Sequence, residues 1–187
     1  MGKIHEAISH ELAAWIGTQP MFFVGTAPLA QGGHVNISPK GLDTLRILGP
    51  RRVAYLDLTG SGAETIAHVR ENGRIVLMFC AFSGPPKIVR FHGNGTVVTP
   101  GSEAWARLSA QFPDYPGARA VVDVAVTRIG DSCGYGVPTF ENPKQRGTLQ
   151  RWSESKGAEG LLAYRRQKNA HSIDGLPGLA PEDENDT

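Results

Sequence analysis

A chain of 187 residues, 40 % of them apolar, has room for one globular domain with its own core. Its 19 basic and 18 acidic side chains leave a net charge of +1, which removes any general attraction to nucleic acid or to an anionic membrane. No apolar run nears the ~20 residues of a membrane helix, and the periodic start MGKIHEAISHELAAWIG is unlike a secretory signal. Gly2 meets its first Ser only at position 9, so the myristoylation pattern fails. Cys80 and Cys133 form no CxxC pair and are expected as free thiols of a cytoplasmic protein.

Ile4, Ile8, Leu12, Trp15 and Ile16 recur at helical spacing and predict a helix over residues 4–16, closed by Gly17 and Pro20. MFFVGTA (21–27) reads as a short strand and PLAQGG (28–33) as a hairpin turn. In HVNISPKG (34–41), Val35 and Ile37 alternate with Asn36 and Ser38, the period of a half-buried strand. RRVAYLDL (51–58) continues, with Val53, Tyr55 and Asp57 on one face and Ala54, Leu56 and Leu58 on the other. Ser61 and Glu64 fit a capping box for a helix that buries Ile66 and Val69 and stops at Gly73.

RIVLMFCAF (74–82) is apolar throughout and predicts a central strand covered on both faces. GPP (84–86) turns the chain into the strand KIVRFHGNGTVV (87–98). Ser102 caps a third helix with Trp105, Leu108 and Phe112 on one face. RAVVDVAVTRIG (119–130) is the last clear strand, and DSCGYGVPTFENPKQRG (131–147) a long loop. Two short helices are expected around 149–156 and 158–169. The tail PGLAPEDENDT (177–187) carries four acids without apolar periodicity and predicts disorder. The expectation is thus one domain over 1–176, with a β core over about 20–140 and a helical extension over about 143–176.

Chemistry concentrates at the joint DLTGSGAET (57–65), where a strand gives way to a helix through two glycines. Exposed N–H groups at a helix start attract anions, and Thr59, Ser61 and Thr65 add hydroxyls. An ordinary capped helix start accounts for the same residues. No GK[ST] follows, and the third glycine of GxGxxG is missing, so neither nucleotide fingerprint applies. Asn36, Ser38 and Lys40 occupy alternate positions of one face; Lys40 either neutralises a phosphate or points to solvent from a strand edge. Arg90, between Val89 and Phe91, is either an anion ligand or half of an ion pair with an acid such as Asp57. Tyr135, among the glycines of DSCGYGVP, could stack on a flat ligand, while nothing near Cys133 activates its thiol. The six histidines show no metal spacing, no GxSxG elbow is present, and the basic residues form no stripe.

NISPKG, the block AYLDLTGSGAETIAHVRENGRIVLMF and the strand IVRFHGNGTVV together resemble the pyridoxamine 5′-phosphate oxidase-like family of FMN-binding split β-barrels, over roughly residues 20–140. CGYGVP (133–138) and KNAHSIDGLPG (168–178) resemble a subgroup of uncharacterised members. The resemblance implies a mainly β fold, a six-stranded antiparallel barrel with flanking helices. It also implies a homodimer, with FMN in a groove touched by both subunits. It puts Asn36, Ser38 and Lys40 on the strand lining the flavin, and Tyr55, Leu56 and Asp57 on the next, whose backbone runs along the ring. It puts Ser61, Gly62 and Thr65 at the phosphate end and Arg90 on a strand facing the ring.

The chain departs from that pattern twice. Ala63, Glu64 and Thr65 stand where relatives carry a basic pair, so Lys40, Arg90 or the partner subunit must supply positive charge. The arginine-rich C-terminal segment that grips pyridoxamine phosphate is not recognisable around Arg165 and Arg166, which argues against that substrate. The expectation is an FMN-dependent oxidoreductase acting on a small molecule, with no metal and no general acid or base named. Two alternatives remain: a non-catalytic module on the same barrel that binds or senses a flavin, a deazaflavin or heme, and a structural protein with an empty groove.

Overall fold

A computed structural model describes residues 2–179. Its eight strands are β1 (Ile4–His5), β2 (Phe22–Thr26), β3 (Asn36–Lys40), β4 (Leu45–Gly49), β5 (Arg52–Leu58), β6 (Arg74–Cys80), β7 (Ile88–Val98) and β8 (Ala118–Ser132). They form one sheet in the order β3-β2-β6-β7-β8-β5-β4, with β1 added to β8, and every named pairing is antiparallel. The sheet curls into a barrel left open between β3 and β4, which are not paired with each other among the described residues. Helices α1 (His10–Gly17), α2 (Glu64–Asn72), α3 (Glu103–Ser109) and α4 (Thr148–Lys168) flank it.

Alternation along β5 sets the two halves of the core. Val53 and Tyr55 point into the barrel, where they join Phe22, Leu77, Phe79 and Phe91. Ala54 and Leu56 point out and pack beneath α3 on Leu108, Phe112 and Val121. Burying each large side chain of this kind contributes ~1.5–3 kcal/mol, so β5 is clamped from both sides. Ser102 caps α3 as expected, accepting from Trp105 N at 3.1 Å. The two short helices expected after the long loop are the arms of α4, broken at Gly157 (φ 63°, ψ 176°).

Several expectations are corrected. The sheet has eight strands rather than six, because the two-residue β1 and the uniformly half-buried β4 carry no alternating signal. Residues 4–16 are not one helix. Ile4 pairs with Gly130, and Lys3 N and the His5 ring bond Asp131 at 2.7 and 2.8 Å. The helix starts only at His10, with Ser9 as its cap. The Ser61–Glu64 capping box does not form: α2 starts at Glu64 without a side-chain cap, and Glu64 accepts instead from Ile173 N at 3.3 Å. Residues 74–82 are not covered on both faces throughout, since Ile75, Leu77 and Phe79 are buried but Val76 and Met78 only half so. Pro177 to Leu179 are not part of a loose tail. Leu179 is buried beside Ile66 and Ala120, and its N–H bonds Asn169 O at 2.8 Å. Residues 180–187, the rest of the expected disordered tail, lie outside the described residues.

Candidate functional site

Asp57 occupies the inward-facing position after Tyr55 on β5, which places a carboxylate inside the barrel wall. An isolated charge there would be very costly, so it is paired twice. Lys40 Nζ, at the end of β3, reaches Asp57 Oδ1 at 2.6 Å, and Arg119 Nε, near the start of β8, reaches Oδ2 at 2.8 Å. Burial pushes the Asp57 carboxyl up, but the charges and hydrogen bonds of Arg119 and Lys40 outweigh it and hold the group at about 2.

Arg119 does more than neutralise Asp57. Its Nη2 donates to Gly62 O at 2.9 Å and its Nη1 to Gly60 O at 3.4 Å, so it fixes the joint between β5 and α2. Helix α4 braces the same joint from outside. Arg165 Nε donates to Thr59 Oγ1 and Asn169 Nδ2 to Gly60 O, each at 2.9 Å. Further in, Ser38 Oγ donates to Asn36 Oδ1 at 3.1 Å, and Asn36 Nδ2 to Thr65 Oγ1 at 2.9 Å. Buried Thr26 and His68 share a 3.0 Å bond, and burial lowers the imidazole pKa. Tyr55 Oη is buried without a hydrogen-bond partner of normal geometry among the described residues, and burial raises its pKa.

Two hollows open beside this framework and share Pro39, Lys40, Leu58 and Gly60. The smaller, about 250 Å³, is polar at its base, with Ser38, Gly62, Thr65, Arg119 and the acid Glu64. The larger, about 710 Å³, has apolar walls that include Leu42, Leu56, Leu58, Phe82, Phe140 and Leu149. Lys40, Lys144 and Arg146 also line it, and no acid does among the described residues. The segment 140–146 forms its roof, pinned by Gln145. Gln145 Nε2 donates to Pro20 O at 2.6 Å, and its Oε1 accepts from Leu42 N at 2.9 Å. Leu42 is held at φ 61°, a left-handed conformation that a branched side chain seldom adopts.

The structure brings together Asn36, Ser38, Lys40, Asp57, Gly62 and Thr65, with Leu56 on the wall of the larger hollow. Asp57 lies beneath the surface, Asn36 is half-buried, and Tyr55 lies in the core. Ser61 is exposed and lines neither hollow. Arg90 is not brought to this cleft within one chain, nor is it Asp57's partner. It faces outward across the sheet from Met78, donating to Ser132 Oγ at 3.2 Å. Tyr135 is 83 % exposed and away from the cleft, and Cys80 and Cys133 are both free. No cluster of His, Cys, Asp and Glu that could hold a metal occurs among the described residues. Arg119, Lys144, Gln145 and Arg146 carry no motif. The one available signal was an arginine opening the otherwise apolar run of β8.

An open antiparallel barrel with a helix laid across the strand joint, and a cleft at that joint, defines the split β-barrel class. The model of the pyridoxamine 5′-phosphate oxidase family matches residues 8–133, and the chain belongs to that family. The pyridoxamine 5′-phosphate oxidase family protein ustO of Aspergillus flavus is 38 % identical over 198 residues, which cover 96 % of this chain and 78 % of that protein. Among solved structures, a single-residue variant of HupZ from Group A Streptococcus is similar at 25 % identity, with a TM-score of 0.53 over 67 % of this chain and 99 % of that one. A structure from Lactobacillus delbrueckii matches with a TM-score of 0.52 over 68 % of this chain and 98 % of that one. At 18 % identity it shows the shared fold alone.

Proposed function

We propose that the paired hollows hold FMN and that the chain is a flavoprotein oxidoreductase for a small molecule, working as a homodimer. The observation that carries this reading is the joining of a polar, donor-lined hollow to an apolar one at Lys40. A phosphate ester fits the first and a planar ring system the second. Formal charge around the smaller hollow sums to zero, Lys40 and Arg119 against Asp57 and Glu64. A phosphate there is held by the Thr65 hydroxyl and the start of α2, rather than by excess positive charge. Glu64 lines this hollow as well, with its carboxylate accepting from Ile173 N and lying over Gly62, where it fills the space a side chain would need. Bound in this way, a flavin supplies two-electron chemistry. The protein's part is to fix Lys40 through Asp57, hold the joint through Arg119 and exclude water with the leucine and phenylalanine walls.

The dimer has its own support. Val35 and Ile37 are 71 % and 69 % exposed, and Ile37 lies in register with Gly25 and Val76 on the outer face of the sheet. An apolar stripe of this kind suits a second copy of the chain. Arg90 belongs to the same face and reaches a flavin only across such an interface.

Purified protein titrated with FMN tests the reading. We expect stoichiometric uptake with a flavin spectrum that a reductant bleaches and air restores, in particles of two chains by sedimentation. Lys40→Ala is expected to weaken FMN binding by about tenfold, because it leaves the buried Asp57 carboxylate with one counter-charge fewer beside the phosphate. A protein that takes up no FMN, or a monomer that binds it fully, overturns the reading; a Soret band or deazaflavin uptake instead moves the site to another cofactor.

A further inference from the structure

We propose that Lys144 and Arg146 are the anion grip for the substrate. The molecule acted on is then planar and mostly apolar and ends in a carboxylate or a phosphate. This rests on the flavin reading of the cleft and adds the class of molecule that meets the cofactor there.

The larger hollow sets the first constraint. Leu42, Leu56, Leu58, Phe82, Phe140 and Leu149 give it walls that take the flavin ring and favour a second flat apolar body stacked beside it. The second constraint is charge. Of its three lining cations, Lys40 is committed to Asp57. Lys144 and Arg146 have no ion-pair partner among the described residues, and the roof's own acid, Glu141, does not line the hollow. Two like charges lining one hollow repel each other, and a shared anion relieves that repulsion.

The third constraint is placement. Lys144 and Arg146 flank Gln145, whose amide is tied on one side to Pro20 O and on the other to Leu42 N. Phe140 anchors the start of the roof through its N–H to Phe82 O at 2.9 Å and a ring contact at 5.3 Å. The backbone that carries the two cations is therefore set over the mouth. The left-handed conformation of Leu42, which aims its N–H at Gln145, is maintained by that same tie. Ser38, Gly62 and Thr65 line only the smaller hollow, and Lys144 and Arg146 only the larger. Cofactor phosphate and substrate anion thus have separate holders.

Calorimetry on the full chain, with and without FMN, tests the assignment. The probes are 2-naphthoate, 2-naphthyl phosphate and the neutral 2-naphthamide. We expect the double variant Lys144→Ala/Arg146→Ala to weaken binding of at least one anionic probe by about tenfold or more, with 2-naphthamide and FMN within about twofold of the parent. Whichever anion loses more identifies the end group. Unchanged affinity for both anions overturns the proposal. So does an equal loss for the amide, which would make the roof a packing element, or a matching loss of FMN, which would assign the two cations to the cofactor. If the chain takes up no FMN, the anion arms still report on the FMN-free protein, and the cofactor reading falls alone.

Discussion

The two ends of the cleft handle charge in opposite ways. At the closed end, Asp57, Lys40 and Arg119 are interlocked, and Asp57 and Arg119 are almost wholly buried. At the roof, Lys144 and Arg146 are exposed and have no ion-pair partner among the described residues. Buried charges that already have partners are part of the architecture, because removing one strands the others in a poor solvent. Exposed charges without partners contribute little to stability and are available to a ligand. The contrast separates residues that shape the cleft from residues that read its contents.

The largest expected effect breaks the closed end. Asp57→Ala leaves buried Arg119 and half-buried Lys40 without a counter-charge and should cost about 3–5 kcal/mol in urea unfolding. The Lys144→Ala/Arg146→Ala chain should stay within about 0.5 kcal/mol of the parent. If the two variants lose stability equally, the division fails.

Acid sharpens the comparison. The Asp57 pKa is lowered from 3.8 to about 2 on folding. The stability it contributes is therefore fully present above the unfolded value and is lost as pH falls through the folded one. The loss should total about 2 kcal/mol between roughly pH 5 and pH 1, and should be missing in Asp57→Asn. Unfolding curves for both chains across that range measure it, and equal acid sensitivity would show that the buried carboxylate is not the cause.

The smallest effect concerns the joint. Ser61→Ala should change stability by less than about 0.5 kcal/mol, whereas Ser102→Ala should cost about 1 kcal/mol. Only Ser102 caps its helix; the joint near Ser61 is held by Arg119, Arg165 and Asn169. Thermal melts of the two variants compare them directly.

Local pattern carried the inner faces well. The period-two alternation of Asn36, Ser38 and Lys40 does put them together, and β5 does divide Tyr55 from Leu56. What escaped the sequence depends on distant pairing. Arg119 meets Asp57 across 62 positions, and Gln145 meets Pro20 across 125. The roof has no periodicity because nothing in it repeats; its order comes from the elements it lies upon. Glu64 misled for the same reason: a nearby Ser61 matched a local motif, but Ile173, 109 positions away, took the carboxylate. Ile4 belonged to a helical spacing only until β8 offered a neighbour to pair with.

Between β3 and β4 no ladder of backbone bonds runs among the described residues; the tie from β3 is the reach of Lys40 past β4 to Asp57 on β5. That edge of the sheet is therefore held by one ion pair and not by the strand-to-strand stitching found elsewhere in the barrel.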